Sequence, residues 1–347
     1  MLYPMLDWAI KYRATDIHLE YGGEPRFRLG ADLVKLEELS AQHTYKENGP
    51  EMPSRTSTIQ VDECIFSQLI EVCHGDLHMV DGAFSYGDIR VRVHLFKAQE
   101  IQCGTLRLLY NGDLQLPDDE EGELLKKLAL LKEGLVIISG PTGSGKSFAL
   151  ASCIQHINLC ESRHIVTLED PIEFVFSNQK SLIHQRQLGQ DVSSMALGIK
   201  EALRQDPDVI MIGELRDRPT LEAALHAAET GHLVFATLHT QRAVMAINRI
   251  ISIFPGEQQE EVRSQLSQVL RAVICQRLVR KNNQFITVRD ILLNNSAVAN
   301  LIRQRKEPQI VSIQEMQRPM QTMEMAVAKL QYNWGHCEEL EAVLEDI

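Results

Sequence analysis

The chain has 347 residues, with 47 acidic against 35 basic side chains and a formal net charge of −12. That length predicts more than one domain, and the acidic balance argues against nucleic acid as the main partner unless a local basic patch lies within the average. No apolar run approaches the ~20 residues of a bilayer span, and Met1–Ile10 with its Pro4 and Asp7 is no signal peptide, so a soluble, cytoplasmic protein without direct membrane insertion is expected.

The chain opens with an expected helix, Leu6 to Arg13, and an extended segment, Ala14 to Leu19, in which apolar residues alternate. Arg26 to Leu29 reads as a strand, and Asp62 to Cys73 carries Ile65, Phe66, Leu69 and Ile70 at helical spacing. Ile89 to Leu95 alternates strictly, Gly104 to Leu109 less cleanly, and both read as strands. This predicts a small α+β domain over residues 1–110. Within it, the polar, proline-containing stretch Gln42 to Thr58 reads as a loop. Residues 111–122, with Pro117 and the acidic run Asp118 to Glu121, read as an interdomain linker.

From Glu123 onward strands and helices take turns, the pattern of a parallel α/β core, expected over 123–290. The apolar run Leu135 to Ile138 feeds the loop Gly140-Pro141-Thr142-Gly143-Ser144-Gly145-Lys146-Ser147, and Phe148 to Ala151 begin a helix. Convergent backbone N–H groups and a helix dipole suit a phosphate, and glycine lets the loop wrap closely. Lys146 is placed to reach the β- and γ-phosphates, and the Ser147 hydroxyl to ligate Mg²⁺.

Two acidic strand ends follow. Arg163 to Leu168 ends in Glu169-Asp170, at the edge where open α/β sheets bind ligands. Val209 to Ile212 runs into Gly213-Glu214, a Walker B pattern with Glu as its terminal residue, so Glu214 is a candidate to polarise water or hold the water shell of Mg²⁺. His232 and His239 flank the strand Leu233 to Leu238 and are candidate sensors of the terminal phosphate. Residues 291–347 read as helices, with Met316, Met320, Met323 and Met325 available for packing or for an adaptable contact. The seven cysteines are scattered and include no C-x-x-C pair, which reads as reduced thiols and no zinc site.

Five stretches together resemble the secretion and type IV pilus ATPases. They are Asp16 to Leu19, Gly140 to Ser147, Leu168 to Phe174, Asp206 to Asp217 and Thr230 to Thr240. The last four are similar to that family's Walker A, Asp box, Walker B and His box. The resemblance implies a homohexameric ring with a PAS-like N-terminal domain and a RecA-like P-loop core, binding ATP and Mg²⁺. It assigns Gly140 to Phe148 to the nucleotide. Ser147, Glu169 and Glu214 would hold the metal directly or through water, Glu214 would be the catalytic glutamate, and His232 and His239 would assist. Arg92 and Arg107 match the family's N-terminal arginines near the γ-phosphate.

The segment Ala297 to Gln304 is similar to the A-I-R-N-L-I-R-E motif of pilus retraction ATPases, with Ala299 and Gln304 departing from its Arg and Glu. Retraction in support of twitching motility is the expected function, through an inner-membrane pilus platform protein and without nucleic acid. Pilus assembly, type II secretion or competence-type ATPases are the alternative. Outside that class stand a nucleic-acid translocase, a small-molecule kinase and a nucleotide-gated scaffold.

Overall fold

In the computed structural model of the chain, residues 2–30, 32–36, 38, 60–73, 80–87, 89–110, 114–281, 284–334 and 338–345 are described. They divide into two units, Met1–Asp113 with Pro171–Val175, and Leu114–Asp170 with Phe176–Ile347. The expected loop Gln42 to Thr58 lies outside the described residues.

The first unit begins with α1 (Leu2–Lys11), which buries Leu2, Met5, Leu6 and Ala9 at helical spacing. Expected only from Leu6, this helix includes Pro4, because a proline in the first turn gives up an N–H that has no intrahelical partner. Six strands, β1 (Asp16–Glu20), β2 (Arg26–Leu29), β3 (Asp32–Lys35), β4 (Val80–Tyr86), β5 (Ile89–Ala98) and β6 (Ile101–Tyr110), form an antiparallel sheet ordered β3-β2-β1-β6-β5-β4. Helix α2 (Glu63–Val72) starts at Asp62, which accepts from the Ile65 N–H at 3.1 Å. Alternation in β5 decides its faces. Val91, Val93 and Leu95 join Ile17, Phe27, Leu69 and Leu106 in the core, while Arg90, Arg92 and His94 stand on the other face. Strands β5 and β6 run past their expected ends because Gln99 and Glu100 take φ of 50° and 67°, the left-handed pair that a two-residue hairpin turn needs.

In the second unit, the acidic run expected to close a linker instead starts α3 (Glu120–Ala129). Asp119 accepts from the Gly122 N–H at 2.7 Å, and Asp118 pairs with Lys126 at 2.9 Å. Carboxylates suit the positive end of a helix dipole. The sheet comprises β7 (Gly134–Ser139), β8 (His164–Glu169), β9 (Leu182–Gln187), β10 (Val209–Ile212), β11 (Leu233–Leu238), β12 (Leu270–Lys281) and β13 (Gln284–Leu293). Its order is β13-β12-β7-β11-β10-β8-β9, parallel throughout except for β12 against β13.

Both faces of this sheet are covered, as a parallel sheet requires. Leu135 and Ile137 of β7 enter one core and Val136 and Ile138 the other. The helices are α4 (Lys146–Cys160), α5 (Met195–Ala202), α6 (Arg218–Glu229), α7 (Ala243–Ser252), α8 (Gln259–Val269), α9 (Ser296–Arg303), α10 (Ile310–Met316), α11 (Met323–Trp334) and α12 (Glu338–Glu345). Val298, Ile302, Ile310, Met323 and Val327 share one core with Ile137 and Val234. The C-terminal helices are therefore part of this unit, and the boundary expected at 290 falls inside β13. Met320 and Met323 are packed, whereas Met316 is 83% exposed.

The result is the expected α/β class, a RecA-like P-loop core with a smaller α+β unit and C-terminal helices. No helix among the described residues is long and apolar enough to cross a membrane.

Candidate functional site

Strand β7 releases the chain at Gly140, and the loop turns directly into α4. Gly140, Gly143 and Gly145 have φ of 145°, 79° and 81°. Space for a side chain is absent at Gly140 and tight at Gly145. A Cβ on Gly140 would strike the Gln276 carbonyl and Ser144 Oγ, and one on Gly145 would lie 3.0 Å from Gln276 Nε2.

Gly145 is also the N-cap of α4, and no side chain closes that first turn. Asp62, Asp119, Ser194, Asp217 and Asn295 each cap a helix by accepting a backbone N–H, whereas Arg242, Gln258 and Gln309, at the starts of α7, α8 and α10, resemble Gly145 in making no such bond. An anion is the natural partner for such an open, positively polarised helix end. Lys146 is only 8% exposed and donates from Nζ to the Gly140 and Pro141 carbonyls at 2.8 and 2.9 Å. Ser144 Oγ is buried without a hydrogen-bond partner among the described residues, while Thr142, Ser147 and Phe148 are exposed. An open helix end, glycines in the left-handed region and a lysine beside them are the groups that recognise a polyphosphate.

The carboxylates come from neighbouring strands. In the order β7-β11-β10-β8, the C-terminal ends carry Gly140, His239, Glu214 and Glu169 along one edge. At ~4.8 Å per strand, that row spans roughly 15 Å. Glu169 is 6% exposed, and its Oε1 accepts from Thr167 Oγ1 at 2.7 Å and Gln185 Nε2 at 3.1 Å. Glu214 is set by its neighbour Gly213, whose N–H donates to the Leu168 carbonyl at 2.8 Å and whose carbonyl accepts from Thr237 Oγ1.

Arg216 Nε donates to Glu214 Oε2 at 2.7 Å and its Nη1 to Asp170 Oδ2 at 3.2 Å, while His239 Nε2 stands 3.6 Å from Glu214 Oε1. Hydrogen bonding to Glu214 raises the Arg216 pKa further. Glu214, Leu215, Arg216, Leu238, His239 and Arg249 line a cavity of about 310 Å³. The sequence pattern assigns no role to Arg216 or Arg249, although Arg216 lies two residues beyond Glu214 within the Asp206 to Asp217 stretch.

His232 is not brought to this edge. It precedes the six-residue strand β11, so roughly 20 Å of strand separates it from the loop edge. Its Nδ1 lies 3.0 Å from the Ala227 carbonyl and 3.1 Å from Thr230 Oγ1. Of the two flanking histidines the fold carries only His239 to the loop edge, because residues before and after one strand stand at its opposite ends.

Arg92 and Arg107 belong to the first unit, directly opposite each other on β5 and β6. Arg107 Nε donates to Asp16 Oδ1 at 2.8 Å.

Among the described residues, no three or more His, Cys, Asp or Glu side chains converge as a metal cage. A cation at Ser147, Glu169 and Glu214 would thus complete its shell from phosphate and water, the habit of Mg²⁺. Thiol chemistry is disfavoured beside the loop, since burial pushes the Cys275 and Cys153 thiols up to about 12.

The chain matches the family described as "Type II/IV secretion system protein" over residues 86–341. It is 38% identical over 333 residues to the "Twitching motility protein" of Neisseria gonorrhoeae, covering 93% of this chain and 82% of that one. It is 34% identical over 333 residues to the "Type IV pilus retractation ATPase PilT" of Pseudomonas aeruginosa, covering 94% of this chain and 92% of that one. Among solved structures, that of the pilus retraction motor PilT with bound ADP superposes with a TM-score of 0.83 at 37% identity, covering 99% of this chain and 96% of that one.

Proposed function

The chain belongs to the type II/IV secretion system protein family, and from that membership we propose that it is an ATP-hydrolysing motor that retracts type IV pili. The observation that carries the reading is the strand, glycine loop and uncapped helix at Gly140–Ser147 in a chain similar over more than nine-tenths of its length to a pilus retraction ATPase.

In this reading the loop N–H groups and Lys146 bind the phosphates, while Ser147, Glu169 and Glu214 hold Mg²⁺ directly or through water. When bound, that ion neutralises charge on the β- and γ-phosphates. Glu214 orients and deprotonates the attacking water, with Arg216 and His239 holding its carboxylate in place. Arg92 and Arg107 add positive charge for phosphoryl transfer, which needs charge stabilisation rather than covalent catalysis. The working form is a homohexamer on the cytoplasmic side of the inner membrane, acting on a pilus platform protein.

Deletion in the native host should leave surplus surface fibres and abolish twitching. Complementation with the unaltered gene should reverse both, and with Glu214→Gln neither. Bald cells on deletion would replace retraction with assembly, and full complementation by Glu214→Gln would remove hydrolysis from the reading.

A further inference from the structure

Gln276 lies on β12, which pairs with the loop strand β7 on the side away from β11. It is 1% exposed, and its side-chain amide reaches the loop: Nε2 donates to the Ser144 carbonyl at 2.7 Å. In a trans peptide the carbonyl and the following N–H point in opposite directions. Anchoring the Ser144 carbonyl on β12 therefore turns the Gly145 N–H away from β12. Gly145, with φ of 81°, has no Cβ to oppose that orientation.

An amide has two ends, and only one of them donates. Arg289 sits directly across from Gln276 on β13, and its Nε donates to Gln276 Oε1 at 3.3 Å. A guanidinium has no acceptor, so it keeps the amide oxygen on its own side and leaves the NH₂ facing the loop. Arg289 is held in turn by Glu121 at 2.9 Å, and the other Glu121 oxygen accepts from Gln321 Nε2 at 2.8 Å.

We infer that Gln276 is a positioning residue of the nucleotide site: by holding the Ser144 carbonyl it directs the Gly145 N–H toward the phosphates, with Arg289 selecting the amide orientation that permits it. This rests on reading Gly140–Ser147 as the nucleotide loop.

Two near-isosteric substitutions separate positioning from packing. Gln276→Glu keeps an oxygen for Arg289 and strengthens that pair, yet sets a second oxygen against the Ser144 carbonyl. Gln276→Met fills similar volume and loses both bonds. Dissociation constants for a fluorescent ADP analogue and melting temperatures would be measured on the full chain, with Lys146→Ala as control.

Both Gln276 variants should bind ADP about tenfold more weakly or worse, Gln276→Glu the weaker, while melting temperature ranks them in the opposite order. A melting temperature that falls with ADP affinity within twofold of wild type, in either variant, overturns the inference, and one folded variant suffices to decide. If the unaltered chain does not bind ADP, or Lys146→Ala binds equally well, the nucleotide reading itself has failed and takes the inference with it.

Discussion

Asp290 is a buried carboxylate on which three elements converge. It is 3% exposed and accepts from the Ala243 N–H at 3.0 Å, where α7 starts, and from Gln314 Nε2 at 2.8 Å on α10. Burial dominates those bonds and raises its pKa from the ordinary 3.8 to about 6. Because the folded value lies above the unfolded one, the folded chain holds the proton more tightly between those two pH values. Stability from this group is therefore greatest below about 4 and falls as pH rises through 6, by ~3 kcal/mol in all. Lowering the pH from 7.5 to 5.5 should raise the melting temperature of the unaltered chain relative to Asp290→Asn, whose side chain does not titrate. A pH-independent difference between the two would show that burial does not govern this carboxyl.

Among the elements, α3 shows how an acidic run does separable jobs. Asp119 caps the helix, and Glu121 meets the side chain of Arg289, which is 6% exposed. Glu120 reaches Lys329 at 3.1 Å across a surface where both partners are exposed. A helix cap is worth about 1 kcal/mol, whereas an exposed ion pair gives well under that. Asp119→Ala should consequently lower the urea midpoint of the second unit by the equivalent of about 1 kcal/mol, and Glu120→Ala by less than half as much. Equal shifts would mean that the Asp119 bond to the Gly122 N–H contributes nothing special.

The proposed chemistry draws on residues from both units. The loop and carboxylates belong to the second unit, and Arg92 and Arg107 to the first. If Arg92 serves phosphoryl transfer and not binding, Arg92→Ala should retain ADP affinity within about twofold and lose ATP turnover by 10²-fold or more, toward the range of arginine fingers. Steady-state phosphate release beside ADP titration checks this, and unchanged turnover would return Arg92 to an ordinary surface charge. The same sheet face also holds Arg107 against Asp16 at 2.8 Å, a pairing of two residues 91 apart in sequence that neither strand pattern announces.

Features that depend on near neighbours along the chain are legible without the fold. A four-residue apolar run, glycines at fixed offsets and a lysine-serine pair specify strand, loop and helix start within about a dozen residues. The same holds for Glu214, which follows its apolar strand directly, and for the alternation that turned Arg92 away from the core. Which residues stand behind and beside that loop depends instead on the folded arrangement of distant segments. Gln276 meets Ser144 across 132 residues and Arg289 meets Glu121 across 168, and such partners leave no local periodicity to read. Strand pairing also decided between the two histidines. Parallel packing puts the C-terminal end of β11 beside the loop, so His239 faces Glu214 while His232, seven residues earlier, is carried to the opposite edge of the sheet.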